Sequence, residues 1–211
     1  MMAHAPWLSR SLLIALSLGA WFWTQALLAR RAFPEGGLGD RLHELTAPWN
    51  RYLGAHPRAA NALLIATSAL IDLLGLFLLG LSIFGPSLRP FLGLLMLFAL
   101  RQLCQGLCAL PPPAGMIWRN PGVPSLLVTY GTASDLFFSG HTAIAVYGCL
   151  ELAHQAGPLG AAAGLVIAAI EMFAVLVLRA HYTLDVFAGA VTALWAWSVA
   201  WHLAPLADAR M

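Results

Sequence analysis

Apolar residues fall into six long runs along the chain, separated by shorter polar or proline-containing breaks. The runs cover about 11–28, 61–84, 91–110, 136–153, 159–178 and 182–203. Each is near the roughly 20 apolar residues that a helix needs to cross hydrocarbon, so each predicts a transmembrane helix. "FGPSLRP" closes the second run and "PPP" the third, because proline lacks a backbone donor and stops a helix. The short basic start of the first run is like that of a signal peptide. No small-residue cleavage site follows and further spans do, so a retained helix is expected. No internal repeat is present.

Two connections are longer. The 30–60 connection is polar and contains arginine. Its part "GDRLHELTAPWNRYLG" fits either an interfacial amphipathic helix, with Trp49 and Tyr52 at headgroup level, or an ordinary solvated loop. The 111–135 connection is rich in proline and glycine and cannot be helical throughout. It is expected to cap whatever site lies beneath it.

Composition agrees with the pattern. The chain has 211 residues, 60% hydrophobic and 9% charged, against about 25% charged in soluble domains. The class is an all-α membrane protein, a six-transmembrane-helix bundle. We divide it into a first helix with its interfacial connection (1–60) and a five-helix membrane part (61–211), one domain overall. The net charge of +2 gives no case for nucleic acid. All eleven basic residues are arginine, which fits a bacterial genome of high GC content and an inner-membrane location. Cys104, Cys108 and Cys149 sit in apolar sequence and read as packing residues rather than a disulfide framework.

Counting spans brings the chemistry together. Six crossings put both termini on one side. His141 at the start of the fourth span and His181 between the fifth and sixth then share the opposite face. His181 and Asp185 stand at i, i+4, which stacks them on one face of a helix. A carboxylate on one ring nitrogen fixes the tautomer and raises the basicity of the other, which makes a nucleophile suited to phosphorus. His141 then protonates a leaving oxygen and later takes a proton from an acceptor. Ser139 and Gly140 precede it near a helix N-terminus, where free N–H groups bind phosphate oxygens. Arg179 and Arg101 neutralise phosphoryl charge.

Other polar residues are read more simply. Arg101 has an alternative partner in Glu171. Asp72 either pairs with Arg101 or lines the cavity. Glu151 and His154 lie toward the opposite interface. His4, His43, His56 and His202 are expected at solvent or interface positions, and most tryptophans in aromatic belts.

At these residues a resemblance becomes visible. "SDLFFSGHT" and "HYTLDV" resemble the two catalytic motifs of the sphingomyelin synthase family, within the type 2 phosphatidic acid phosphatase superfamily. Asp135, Phe138, Ser139, Gly140, His141 and Thr142 fit the first. His181, Tyr182, Thr183, Leu184, Asp185 and Val186 fit the second. "RQLCQGLCALPPPAG" resembles the family's arginine-bearing helix and proline turn, through Arg101 and Pro111 to Pro113. The chain is also similar to plant phosphatidylcholine:diacylglycerol cholinephosphotransferase. That group shares the aromatic pair of "FFSGH" and an arginine two residues before HYT, here Arg179, and lacks an equivalent of Asp135. The resemblance covers roughly 60–203.

The resemblance implies a six-span headgroup transferase whose triad is His141, His181 and Asp185, with His181 as nucleophile. Asp135, Ser139, Gly140, Arg101, Arg179 and Tyr182 are the expected substrate-binding residues. The expected activity moves phosphocholine or phosphoethanolamine from a glycerophospholipid to diacylglycerol or ceramide through a phosphohistidine. The expected partners are a phospholipid donor, a lipid alcohol acceptor and the bilayer, with a homo-oligomer allowed. No cofactor and no metal is implied. Lipid phosphatases of the superfamily carry a lysine seven residues before an Arg-Pro pair and an arginine six residues before the second histidine. Here those positions are Ser82 and Val175. Fewer cationic clamps suit a diester better than a monoester, so transfer ranks above hydrolysis, and both above a non-catalytic lipid-binding role. Arginine is denser on the catalytic face, which by the positive-inside tendency points to the cytoplasm. The resemblance implies the exoplasmic face, and we take that as the expectation.

Overall fold

The computed structural model of the protein describes residues 6–30, 38–130 and 136–210. Among them are seven α-helices: α1 Pro6–Leu28, α2 Arg41–Leu45, α3 Ala47–Ala55, α4 Pro57–Phe84, α5 Arg89–Leu107, α6 Gly140–Val177 and α7 Thr183–Asp208. No strand occurs among the described residues. Four helices, α4 to α7, are long and apolar enough to cross a membrane, so the protein is all-α and of membrane type. Proline marks several starts, with one in the first two positions of α3, α4 and α5. There its missing N–H costs nothing.

The fourth and fifth apolar runs lie within α6. Gly157 has φ 59° and ψ −141°, which breaks the helix, and Pro158 follows it. The two arms fold back on each other. A Cβ added at Gly164 would meet Cys149 at 2.6 Å, and one at Gly160 would meet the Leu152 carbonyl at 2.0 Å. Residues this far apart along one straight helix could not touch, so α6 is a hairpin whose glycines let the arms approach. The polar 30–60 connection holds the short helices α2 and α3, which answers the choice between helix and loop.

Cores on both sides of the bundle fix the helix ends. Leu64 of α4 packs with Val175 to Leu178 at the end of α6. Leu78, Leu94, Tyr147 and Ala193 join α4, α5, α6 and α7. A Cβ on Gly93 would fall 2.0 Å from the Tyr147 hydroxyl, so α5 meets α6 only because Gly93 has no side chain. At one end of the bundle Arg10 donates to the Gly85 carbonyl and Asp208 accepts from Leu88 N–H. That gathers the start of α1, the α4–α5 turn and the end of α7. The end of α1, the end of α5, the start of α6 and the α6–α7 passage therefore lie at the other end.

The far end also holds a buried ion pair. Arg89 Nε donates to Glu151 Oε1 at 3.1 Å, and its Nη2 to Oε2. The Arg89 guanidinium lies 4.1 Å over the Trp201 ring. Glu151 is fully buried: it lies toward the end opposite the site, as expected, but faces into the bundle, where its charge has a bidentate partner. Asp72 neither pairs with Arg101 nor lines the cavity described below. Its carboxylate accepts from Ser125 Oγ and from the N–H groups of Leu126 and Leu127, and so fastens the proline-rich connection to α4.

Candidate active site

His141 enters from the first turn of α6. Ser139 caps that helix, its Oγ accepting from Thr142 N–H at 3.3 Å and from Thr142 Oγ1 at 3.0 Å. Backbone N–H of Ser139 donates to the Asp185 carbonyl at 3.0 Å, which joins the SGH turn to the start of α7. A Cβ on Gly189 would lie 2.7 Å from the Ser139 carbonyl oxygen, so this joint is close-packed. The Ser139 hydroxyl is thus spent on its own helix, and Ser139 does not line the cavity. Gly140 does, with Arg101 Nε 3.3 Å from where its Cβ would be.

His181 sits in the tight passage between α6 and α7, just after Arg179, whose φ is 55°. Its Nδ1 lies 2.8 Å from the Leu136 carbonyl and 3.7 Å from Asp185 Oδ2. A carbonyl can only accept, so Nδ1 carries the proton and Nε2 the lone pair. The tautomer is the expected one, but the group that sets it is different. Asp185 accepts instead from Tyr182 N–H at 2.8 Å, capping α7, and stands beside the imidazole as a charge. The i, i+4 spacing does not stack the pair on a helix, because His181 precedes the first turn of α7.

Both imidazoles meet one small cavity of about 40 Å³, with Gly140, Arg101, Trp118, Leu136, Trp21 and Phe98 also in its wall. Among the described residues His141 Nε2 is buried without a hydrogen-bond partner, so none of them holds the proton it would exchange. The Trp118 ring stands edge-on to His141, centroids 5.3 Å apart. Its Nε1 donates to the Thr129 carbonyl, and Ile117 N–H donates to Leu178 O at 2.7 Å. The proline-rich connection thus covers the site, as its composition suggested. Arg101 Nε donates to the Phe138 carbonyl at 3.0 Å. The alternative pairing with Glu171 does not form: both Glu171 carboxylate oxygens lack a hydrogen-bond partner.

Two further expected substrate-binding residues lie away from the cavity. Arg179 is outside the cavity wall. Its guanidinium donates to the carbonyls of His43 at 2.7 Å and Ala114 at 3.2 Å, tying α2 and the covering loop to the His181 passage. Tyr182 is also outside the wall. Its ring stacks on His43, centroids 5.7 Å apart, and its hydroxyl accepts from Leu38 N–H. Asp135 lies outside the described residues, as does His4.

A second group of residues was not expected here. His43, read from sequence as a solvent or interface residue, is buried, and its Nε2 donates to the His181 carbonyl at 2.9 Å. Burial pushes the His43 imidazole pKa down. Asp40 accepts from Leu42 and His43 N–H at the start of α2, and from Thr183 N–H and Oγ1 at the start of α7. Burial raises the Asp40 carboxyl pKa, but the Thr183 and His43 hydrogen bonds outweigh this and hold it below the ordinary value. The only signal in the sequence was an aspartate three residues before a histidine in a polar stretch, with nothing to indicate its distant partner.

A family model described as AtPDCT1/2, a phosphatidylcholine:diacylglycerol cholinephosphotransferase family, matches residues 40–202. No curated protein and no solved structure matches the chain. The family match covers most of the chain, and the chain belongs to this family.

Proposed function

We propose that this family member moves phosphocholine or phosphoethanolamine from a glycerophospholipid to diacylglycerol or ceramide. One observation carries the reading: His141, His181 and Arg101 share a single covered cavity, with His181 Nδ1 held by a carbonyl. His181 Nε2 attacks phosphorus, forming an N–P bond, and the P–O bond to diacylglycerol breaks. His141 gives its proton to the departing oxygen, so neutral diacylglycerol leaves. The phosphorylated imidazole keeps its Nδ1 proton and becomes cationic, and Asp185 at 3.7 Å offsets that charge. The acceptor hydroxyl then gives its proton to His141, its oxygen attacks phosphorus, and the N–P bond breaks to restore His181. Arg101 faces the phosphoryl group throughout, and Asp135 belongs to the same set by its place in the motif.

In this reading the fold is a six-crossing bundle of the type 2 phosphatidic acid phosphatase kind, related to the sphingomyelin synthases. Its crossings are α1, α4, α5, the two arms of α6, and α7. The bundle is one domain, with 1–60 laid against 61–211, in a bacterial inner membrane with the site on the exoplasmic face. Hydrolysis is ranked second. Arg89, the remnant of a phosphatase clamp, is engaged by Glu151 and does not line the cavity. The reaction needs no metal, and activity should persist in excess chelator. The test of transfer uses purified protein in vesicles with headgroup-labelled phosphatidylcholine or phosphatidylethanolamine and unlabelled diacylglycerol or ceramide. Label in a new lipid supports transfer; label released to water as free headgroup phosphate assigns hydrolysis.

A further inference from the structure

An apolar groove of about 290 Å³ runs between α1 and α5, walled by Ser17, Trp21, Leu79, Leu94, Phe98 and Ala99 among others. Trp21 and Phe98 also line the catalytic cavity, and their rings pack with centroids 5.0 Å apart. These two side chains therefore form the partition between the histidine-bearing cavity and an apolar trough. We propose that the groove holds one acyl chain of the diacylglycerol moiety, in donor and acceptor alike. This inference rests on the headgroup-transfer reading.

The dimensions agree. On α5 the groove extends from Phe91 to Gln102, roughly 16 Å at about 1.5 Å per residue. That is near half of the roughly 30 Å hydrocarbon core, the depth of one leaflet. A lipid whose phosphate sits by Arg101 would lay a chain of its own leaflet along this path. The polarity agrees as well. Gln102 Nε2 donates to Gln25 Oε1 at 3.0 Å at the catalytic end, where a glyceride backbone would lie. Trp21 Nε1 and Gln102 Oε1 are buried there without hydrogen-bond partners. An ester carbonyl and a glycerol hydroxyl would supply what they lack.

One groove suffices for both half-reactions. The oxygen that leaves phosphorus and the oxygen that attacks it both stand in line with His181 Nε2. With diacylglycerol as the acceptor both belong to a diacylglycerol, so by microscopic reversibility both occupy the same place. Diacylglycerol then competes with phosphatidylcholine for the free enzyme and inhibits at high concentration, competitively against the donor.

Two experiments test this. The first compares Ala99→Trp, which fills the groove, with Leu103→Trp on the same helix, which is exposed and outside the groove wall. Ala99→Trp should raise KM for dioleoylglycerol by about tenfold and leave dihexanoylglycerol within about twofold, a loss of binding that the longer chain alone makes. Leu103→Trp should change neither. An unchanged KM for the long chain, or equal losses for both chains, overturns the proposal. The second uses wild-type protein in phosphatidylcholine vesicles containing a diacylglycerol with a photoactivatable group in mid-chain. Label confined to the groove residues of α1 and α5 supports the proposal even if no headgroup transfer is found. Label spread over lipid-facing positions such as Leu103 and Leu165 overturns it even if transfer is robust.

Discussion

The Nδ1 of His181 lies 2.8 Å from the carbonyl oxygen of Leu136. That contact assigns the tautomer through the backbone of the segment leading into α6, and it leaves Asp185 with another task. Where a carboxylate alone holds the catalytic tautomer, its amide replacement costs about 10⁴-fold in kcat. Here Asp185→Asn keeps an acceptor for Tyr182 N–H and the Leu136 contact, and loses only the charge beside the ring. We expect kcat to fall by about 10²-fold, with KM for the phospholipid little changed. His181→Asn, which can still donate to Leu136, should fold normally and lose all transfer. Steady-state kinetics with each variant check this, and a loss for Asp185→Asn as large as that for His181→Asn would assign the tautomer to Asp185.

His43 makes the passage sensitive to acid. Its imidazole lies near Asp40, Arg179 and Asp185, and burial sets its folded pKa below the ordinary 6.5. The unfolded chain therefore binds a proton that the folded one refuses. The stability this group contributes is present above pH 6.5 and is lost as pH falls through the lower folded value. His43→Gln keeps a donor for the His181 carbonyl and removes the titration. Thermal unfolding in detergent should show the variant losing less stability than wild type between neutral pH and about pH 5. Parallel curves would contradict it.

The Arg89–Glu151 pair is expected to be structural. Both side chains are buried, and removing one partner strands a charge. Glu151→Gln should cost about 3–5 kcal/mol of stability and leave the choice of headgroup unchanged. Denaturant unfolding together with a donor competition assay separates the two effects.

Gly189 should be intolerant for a different reason. A methyl group there would press on the Ser139 carbonyl at 2.7 Å, and Ser139 caps the helix that delivers His141. Gly189→Ala should cost about 1–3 kcal/mol by overpacking, and should lower kcat by displacing His141. Unfolding and steady-state turnover of the variant check both.

The helices were legible because a hydrocarbon solvent selects long apolar runs, and the runs at 61–84 and 182–203 match α4 and α7 within a few residues. The hairpin turn of α6 was legible too, because Gly157 and Pro158 break the pattern. His141 and His181 line one cavity, which is where the expected alternation of apolar runs would bring them. What stayed hidden depends on contacts without a local pattern. Leu136 acts through its carbonyl, which its side chain does not announce. His43 meets His181 across 138 positions of sequence. Arg179 looked like a phosphate ligand because arginine commonly is one, yet two carbonyls nearer to it take its donors. Charge type could nominate Arg101 and Glu171 as partners, but only packing decides that Arg101 turns to Phe138.

The most direct measurement is a half-reaction. Phosphatidylcholine labelled in the headgroup phosphate is mixed with stoichiometric enzyme in vesicles lacking any acceptor, then quenched in alkali, which preserves a phosphorylated histidine. We expect label on the wild-type protein at His181 and none on His181→Ala, with diacylglycerol released in equal amount. Adding fresh diacylglycerol before the quench should move that label back into lipid. An unlabelled protein with labelled phosphocholine appearing in the water would contradict headgroup transfer through His181.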